Sequence, residues 1–357
     1  MKILISGVCG FVGSSLATRL LDQPPAGGLR IVGLDNFARA GSWLNSGPLR
    51  RRGVEVLHGD IRQASDLQGI GAVDWIIDAA AIPSVMAGVD GRSSSRQLVE
   101  HNLLGTVNLL EHCKSHGSGF LLISTSRVYG IEALGAVHTE VVDGAFVPSD
   151  NQQLPPGLSR SGVAEAFTTR PPISLYGATK LASETLALEY RSAFDLPVWV
   201  NRCGVVAGAG QFGRADQGIF SFWIHSWRAR RPLKYIGFDG AGHQVRDCLH
   251  VADLASLIRK QLVTQDTHQP PVVNVGGGVS NSMSLRNLSA WCENRFGPRK
   301  VGADPEPRPF DLPWIVLDSA LAGDIWEWHA SIGIEQTMDD IAGHADANPD
   351  WLDRIEG

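Results

Sequence analysis

Residues 1–20, MKILISGVCGFVGSSLATRL, decide the fold that we predict for this chain. A short apolar run, Lys2 to Ser6, leads into glycines 7, 10 and 13 and then into an amphipathic segment. Glycines in this order permit a tight turn, let the backbone approach a pyrophosphate and let a helix pack closely on a strand. The free N–H groups at the start of that helix attract the same anion. We interpret the stretch as a dinucleotide-binding turn; purely structural turns are the alternative.

The same alternation of strand and helix continues through the first two hundred or so residues. Short apolar runs bounded by turn residues predict strands at Lys2 to Ser6, Arg30 to Asp35, Val54 to His58, Trp75 to Asp78, Phe120 to Thr125 and Val198 to Arg202. Helical periodicity occupies Gly13 to Leu21, Leu98 to Lys114 and Tyr176 to Phe194. The fold class is therefore α/β, a doubly wound parallel sheet of the Rossmann type. Its ligand crevice is expected beyond the carboxyl ends of the strands.

The amino-acid composition changes near Gly208, where glycine, arginine and aromatic residues occur close together. We place a Rossmann domain at 1–205 and a second, smaller α/β substrate domain at 206–357. Because VVNVGGG, Val272 to Gly278, still reads as a strand and turn, part of 244–277 is expected to interleave with the first domain. The segment Asp150 to Pro172 is predicted to be a long surface loop. Packing, not ligand contact, is expected for tryptophans 223, 227, 291, 314, 326 and 328.

Composition excludes several classes of protein. The 357 residues carry a net charge of −6, which gives no electrostatic support for binding nucleic acid or an anionic membrane. The five cysteines are scattered, without the spacing of a zinc site or a disulfide framework, so no metal is expected and a reducing cytoplasm is the natural location. Glycines end the N-terminal apolar run before it reaches the length of a signal-peptide core or membrane span.

Polar and small residues follow several predicted strands. Asp35 ends the second strand, where its carboxylate can accept hydrogen bonds from an adenosine ribose. This favours NAD over NADP, because a carboxylate would repel a 2′-phosphate. Arg39 nearby is the opposing signal, since an arginine could bind the 2′-phosphate of NADP. Asp60 could contact adenine or cap the next helix. Small side chains at 80 and 81 could let a nicotinamide ribose lie against the backbone, or serve packing alone. The predicted cofactor-binding set is Gly7, Gly10, Phe11, Val12, Gly13, Asp35, Asn36, Asp60, Ile61, Ala80, Ala81, Tyr176 and Lys180.

The segment SLYGATKLASE, Ser174 to Glu184, places a tyrosine and a lysine one helical turn apart and thus on one face. A phenol with a solution pKa near ~10 is a poor base, but a neighbouring ammonium and an oxidised nicotinamide both favour the phenolate. Tyr176 is therefore the predicted general base. Lys180 would also orient the cofactor through its ribose. Ser174 can cap the helix, and Gly177 allows close approach of a ligand.

A third catalytic member is expected at the end of a strand, where LLISTSRVYG supplies Ser124, Thr125 and Ser126. A hydroxyl there can hydrogen-bond the substrate oxygen whose proton Tyr176 removes. We select Thr125. In isolation such a residue more often forms a local turn or cap; the glycines, Asp35 and the Tyr/Lys pair favour the catalytic interpretation.

The motifs GVCGFVG, LDNF, HGDIR, STSRVYG, YGATK, QVRDCLHVADL and NVGGG together resemble the extended short-chain dehydrogenase/reductase family, in its nucleotide-sugar epimerase/dehydratase branch. Within that branch, GAGQFGRADQGIFSFW and HQVRDCLH are most similar to the CDP-paratose (CDP-tyvelose) 2-epimerases. The resemblance implies an NAD-binding Rossmann domain, a C-terminal nucleotide-sugar domain with substrate between them, and a homodimer formed through a helix–helix face.

Site residues follow from matching positions. Thr125, Tyr176 and Lys180 match the catalytic trio of the family, and Arg246 matches an arginine that binds the substrate diphosphate. A guanidinium can grip phosphate bidentately. Arg308 and Asp311, in PRPFDLPW, match a second nucleotide-binding pair, although a surface salt bridge is an equal alternative for Arg308. The predicted substrate-binding set is Thr125, Gln211, Arg246, Arg308 and Asp311.

Two departures from the family pattern bear on the reaction. Dehydratases of the family carry an acidic residue directly after the catalytic threonine, whereas Ser126 and Arg127 follow here, which favours epimerisation without loss of water. Leu175 replaces a usual proline, and the preceding loop lacks an acidic stretch, so the sugar could differ from paratose.

The expected reaction is epimerisation of a nucleotide sugar, with a CDP-sugar favoured, through a ketosugar and tightly bound NAD. A net dehydrogenase or reductase and a non-catalytic dinucleotide sensor are the alternatives.

Overall fold

The computed structural model describes residues 1–91, 94–264, 266 and 268–355. The strands of these residues are, in chain order, β1 (Lys2–Ser6), β2 (Arg30–Asp35), β3 (Glu55–His58), β4 (Trp75–Asp78), β5 (Gly119–Thr125), β6 (Thr139–Val142), β7 (Ala145–Pro148), β8 (Leu158–Ser159), β9 (Gly162–Val163), β10 (Val198–Cys203), β11 (Val205–Ala207), β12 (Lys234–Ile236), β13 (Val245–His250), β14 (Val272–Val275), β15 (Ser282–Ser284), β16 (Gly302–Asp304) and β17 (Trp314–Ile315). The α-helices are α1 (Phe11–Asp22), α2 (Trp43–Arg51), α3 (Ala64–Gln68), α4 (Ser95–Val99), α5 (Gly105–His116), α6 (Ile131–Gly135), α7 (Ser174–Phe194), α8 (Ile219–Arg228), α9 (Val251–Val263), α10 (Leu285–Phe296), α11 (Ala320–Trp326), α12 (Ile334–Ala347) and α13 (Trp351–Ile355).

The centre of the molecule is a seven-stranded parallel sheet in the order β14-β10-β5-β4-β1-β2-β3. This confirms the predicted doubly wound sheet, and three of the predicted strands, β1, β2 and β4, match residue for residue. The order of connection reverses between β1 and β4, so the crevice of the sheet opens beyond the carboxyl ends of these two strands.

Both faces of the sheet are covered, because helices pack on each side. Along β1, Ile3 and Ile5 belong to one buried cluster while Leu4 belongs to the cluster on the opposite face. Burying a side chain of this size stabilises the fold by about 1.5–3 kcal/mol. Such two-sided burial explains why the strands read as continuous apolar runs and not as alternating patterns.

The predicted helix at Leu98 to Lys114 is not a regular α-helix. A π-helical turn, Glu100–Leu104, separates α4 from α5. The extra residue turns buried Asn102 toward its neighbours: its side-chain oxygen accepts from the Ile82 N–H at 2.8 Å, and its amide donates to the Thr179 hydroxyl at 3.2 Å. Tertiary hydrogen bonds around this one side chain thus accompany a break that the apolar periodicity does not reveal.

The prediction of a long surface loop at Asp150 to Pro172 is partly wrong. This segment contains the hairpin β8–β9, and Leu158, Val163 and Phe167 are buried in a core cluster. The Val163 N–H donates to the Val316 carbonyl at 2.8 Å. The physical reason is that the segment supplies apolar side chains and a backbone edge to residues some 150 positions later, which no local pattern encodes.

The second region is built around β13, which pairs with β11, β15 and β17. Strand β14 lies after residue 206 in the chain but pairs in parallel with β10 in the central sheet. The six tryptophans named above pack in or against buried clusters, as predicted. Within the described ranges, no helix combines the length and the apolar character needed to cross a bilayer.

Candidate functional site

A cavity of about 750 Å³ lies beyond the carboxyl ends of the central strands, and residues of both regions line it. This volume lies within the range of small-molecule and cofactor sites, about 300–1,000 Å³. Its walls include these predicted residues: Gly7, Gly10, Phe11, Val12, Gly13, Asp35, Asn36, Asp60, Ile61, Ala80, Ala81, Thr125, Tyr176, Gln211, Arg246, Arg308 and Asp311. Lys180 is not part of the wall; it is buried behind it, 2% exposed.

The glycine turn packs as a dinucleotide turn requires. Gly7 has φ of +62°, and the Gly10 N–H donates to the Gly7 carbonyl at 2.9 Å. A Cβ on Gly13 would lie 2.3 Å from the Gly7 oxygen, so glycine alone lets α1 approach β1 this closely. No side chain caps the start of α1 at Gly10, and Gly10 lines the cavity. The positive end of the helix dipole is therefore available to an anion in the cavity. These residues fit the pyrophosphate of NAD.

Replacing Gly13 by alanine is expected to reduce NAD content to near zero or to prevent folding, because the added methyl group displaces the turn; overpacking of this kind costs about 1–3 kcal/mol or more. The measurement is NAD released per protein on denaturation, with thermal stability. The matched control is Gly343→Ala in α12, where an added Cβ meets nothing within 4 Å and stability should rise slightly. Equal NAD content in the two variants would contradict the role given to the turn.

Asp35 and Arg39 flank the cofactor end of the cavity. The Asp35 carboxylate is buried and accepts from the backbone N–H groups of Cys9 and Phe37, each at 2.8 Å. Burial raises the pKa of Asp35, against these hydrogen bonds. The Arg39 guanidinium donates to the Phe212 carbonyl. Arg39, the alternative partner for a 2′-phosphate, thus forms a hydrogen bond between the cofactor side of the cavity and the second region.

Asp60 does not cap the following helix, so that alternative is wrong. Helix α3 begins at Ala64, and the Asp60 carboxylate instead accepts from the Arg62 side chain at 2.7 Å and from the Asn36 amide at 3.0 Å. Burial opposes ionisation of Asp60, but these hydrogen bonds outweigh it and lower the pKa well below its usual range. An ionised carboxylate is thereby held on the cavity wall.

Thr125 and Tyr176 both line the cavity. Thr125 ends β5, Tyr176 lies in the first turn of α7, and the threonine hydroxyl acts to lower the pKa of the phenol. The start of α7 is fixed by the Ser174 hydroxyl, which accepts from the Gly177 N–H at 3.1 Å, as the sequence predicts. Burial raises the pKa of Tyr176 to about 12, while the Thr125 hydroxyl and the charge of Arg127 act in the opposite direction.

Lys180 shares a helix face with Tyr176, as the sequence predicts. Its ammonium interacts with the buried carboxylates of Asp78 and Glu184, and burial lowers the pKa of Lys180. The charge of Arg127 is a second positive charge to consider, because it acts to lower the pKa of Tyr176. The action of Lys180 on the phenol stays a prediction.

The second region contributes a cluster of polar groups. Arg246 donates to the Leu312 carbonyl at 2.9 Å and forms an ion pair with Asp311, and both side chains are largely buried. Arg308 donates to the Ala215 carbonyl at 3.1 Å. Gln211 donates to the Val206 carbonyl at 2.7 Å. The Arg246 guanidinium is therefore held on the cavity wall by Leu312 and Asp311.

Some residues of the wall escaped the sequence reasoning as site residues. The Ser84 hydroxyl donates to the Asp216 carboxylate at 2.7 Å, and both line the cavity. They are 132 positions apart, so no local signal joins them. Arg127 also lines the cavity, and its signal in the sequence is its position two residues after Thr125 in STSRVYG.

Comparison with known proteins identifies the relatives of this chain. Residues 3–276 match the NAD dependent epimerase/dehydratase family. The chain is 31% identical to the CDP-paratose 2-epimerase of Salmonella typhi over 82% of its own length and 84% of that protein. It is 26% identical to the UDP-glucuronate 4-epimerase of Thermodesulfobacterium geofontis, covering 94% of the chain and 93% of that protein.

The fold also matches solved structures. The UDP-glucuronic acid 4-epimerase of Bacillus cereus, in complex with UDP-glucuronic acid and NAD, superposes with a TM-score of 0.75 at 24% identity, over 97% of this chain and 99% of that one. The match confirms the fold, a mostly parallel central sheet flanked by helices. On the family match and the 31% identity, the chain belongs to the NAD dependent epimerase/dehydratase family, and its cofactor is NAD.

Proposed function

We propose that the protein epimerises a nucleotide-activated sugar, with a CDP-sugar as the favoured substrate and inversion of the kind carried out by a CDP-paratose 2-epimerase. The observation that carries the proposal is that Thr125 and Tyr176 line one cavity together with the glycine turn and with the Arg246–Asp311 ion pair. The cavity thus combines a proton acceptor, a cofactor cradle and an anion site. That combination supports acid–base chemistry on a sugar anchored through its diphosphate.

Each group has a defined task in the proposed reaction. The glycine turn would hold NAD, which would supply reversible hydride transfer at the sugar carbon. Tyr176, as phenolate, takes the proton of the hydroxyl on that carbon and later gives it back, while Thr125 holds the same oxygen. Arg246 holds the diphosphate, so the ketosugar can turn over without leaving the protein. The net change is inversion at one carbon, with no gain or loss of electrons.

The absence of a carboxyl group directly after Thr125 supports epimerisation over dehydration. Ser126 and Arg127 occupy these positions, and burial followed by the charge of Arg246 lowers the pKa of Arg127 only to about 10. Arg127 therefore stays protonated and charged near neutral pH, and it cannot shuttle a proton to a departing hydroxide as a carboxyl group can.

The test is a product assay with the purified protein. Incubation with CDP-, UDP-, GDP- and dTDP-sugars is followed by NMR of the sugar and by absorbance of reduced nicotinamide. We expect one CDP-sugar to convert to an epimer without accumulation of NADH. Steady NADH formation would identify a net dehydrogenase instead, and a 4-keto-6-deoxy product would identify a dehydratase.

A further inference from the structure

The side-chain amide of Gln244 has a hydrogen-bond partner at one end only. Gln244 stands directly before β13, lines the cavity and is 7% exposed. Its Nε2 donates to the Ile236 carbonyl at 3.3 Å. Because a carbonyl only accepts, this bond fixes which end of the amide faces Ile236. The other end, Oε1, is buried and has no hydrogen-bond partner in the described part of the chain. Buried acceptors in folded proteins are nearly always paired, so this oxygen is expected to receive a donor from a bound ligand.

The register of β13 shows how the cavity runs on either side of Arg246. In one direction Cys248 pairs with Val205, which stands two residues after Cys203. Cys203 in turn pairs with Thr125 at the end of β5. This direction therefore leads to the catalytic end of the cavity. The glutamine stands two residues from Arg246 in the opposite direction, about 7 Å away at the rise of an extended chain.

A nucleotide sugar bound in this cavity has its orientation fixed by these positions. Its sugar must reach Thr125 and Tyr176, and Arg246 is the proposed partner of its diphosphate. The nucleoside lies on the other side of the diphosphate from the sugar. Its base therefore lies toward Gln244, away from the catalytic end.

Two apolar side chains line the cavity beside this position. Met283 of β15 pairs with Arg246, and the two strands are antiparallel, so Leu285 follows in the direction of Gln244. Apolar side chains with a small number of placed polar groups are the usual lining of a ligand site. Here the apolar side chains suit the faces of a planar base, and the amide oxygen is available to its edge.

The chemistry of that oxygen distinguishes between pyrimidine bases. Cytosine carries an amino group at C4, which donates hydrogen bonds, whereas uracil and thymine carry a carbonyl oxygen there, which only accepts. An acceptor placed against this edge forms a hydrogen bond with cytosine and repels the other two bases.

We propose that Gln244 is a specificity-determining residue whose Oε1 accepts a hydrogen bond from the 4-amino group of a cytosine base. The bond from Nε2 to the Ile236 carbonyl holds the amide in the orientation that presents this oxygen. The proposal deepens the proposed function and rests on it for the place of the diphosphate at Arg246. It gives the physical reason for a preference for CDP-sugars over UDP- and dTDP-sugars.

The experiment measures dissociation constants of nucleoside diphosphates from the holoenzyme by calorimetry. The probes are CDP, UDP and a CDP analogue whose base is 2-pyrimidinone, which is cytosine without its 4-amino group. We expect the unaltered protein to bind UDP and the analogue about 10-fold more weakly than CDP, because each leaves the buried acceptor unpaired. In Gln244→Met, which keeps the length of the side chain and removes the acceptor, CDP should bind about 10-fold more weakly and lose its advantage over the analogue.

Gln217→Met is the matched control. Gln217 lines the same cavity and its Oε1 also has no partner within the described residues, but it does not belong to β13 or its approach. This variant should keep the preference for CDP over the analogue. An equal loss of preference in Gln217→Met, or an unchanged preference in Gln244→Met, overturns the proposal.

The unaltered protein alone also decides the question, so the test does not depend on the folding of a variant. Equal affinity for CDP and the analogue, or tighter binding of UDP than of CDP, refutes the role of Gln244. Because no turnover is measured, these outcomes leave the epimerase assignment standing. A failed product assay would likewise leave a measured preference for the 4-amino group intact.

Discussion

Replacing Tyr176 by phenylalanine is expected to lower kcat for sugar-nucleotide epimerisation by about 10²–10⁴-fold, the usual contribution of a positioned acid–base group. The change removes one oxygen and keeps the buried ring, which is 8% exposed. Thr125 remains in place at the end of β5, where its hydroxyl still accepts from the Arg127 N–H at 3.2 Å. The proton of the sugar hydroxyl then has no acceptor, while the cofactor cradle at the other end of the cavity is intact.

The measurement is kcat with the substrate found in the product assay, together with NAD content. Tyr190→Phe is the matched control, since Tyr190 lies on the same helix and bonds Glu111 outside the cavity. NAD content should be normal in both variants. Activity of Tyr176→Phe within a few-fold of the unaltered enzyme would remove Tyr176 as the base.

Replacing Arg246 by alanine is expected to raise KM for the nucleotide sugar by about 10²-fold, with a smaller change in kcat. Truncating one member of a buried, hydrogen-bonded charge pair costs about 2–5 kcal/mol in binding. The physical reason is double: the diphosphate loses its guanidinium, and the Asp311 carboxylate, which is 14% exposed, is left unpaired and repels the anion. The same unpaired charge should lower thermal stability.

Two further variants separate binding from stability. Arg246→Lys keeps the charge but loses the paired donors, so it should show an intermediate KM. Arg228→Ala breaks the exposed pair with Asp346, formed at 2.7 Å, and should change stability by less than about 1 kcal/mol and leave KM unaltered. A KM for Arg246→Ala equal to that of the unaltered enzyme would refute its assignment to the diphosphate.

The parallel sheet could be predicted closely because its strands carry their own signal. Strand β1 is a run of residues buried on both faces, and Gly7, which has a positive φ, forms the turn directly after it. The position of a residue at the carboxyl end of such a strand then follows from topology. For this reason the sequence alone predicts that Asp35 and Thr125 lie at the same edge of the sheet.

What the patterns did not predict depends on contacts between distant segments. The π turn at Glu100–Leu104 accompanies hydrogen bonds of Asn102 to the far segments at Ile82 and Thr179. The hairpin inside Asp150 to Pro172 is joined to a distant segment by the hydrogen bond from the Val163 N–H to the Val316 carbonyl. Neither contact changes the local hydrophobic period, and only the folded chain brings the partners together.

The sequence by itself determined the class of fold, the glycine turn for the dinucleotide, and the helix on which Tyr176 and Lys180 share a face, because each is a local matter of period, spacing or backbone freedom. The tertiary structure decided which distant side chains meet at the cavity. Contacts in space do not depend on separation along the chain, so Arg127 reaches the Phe310 carbonyl and Arg246 pairs with Asp311, although neither partner is near in sequence.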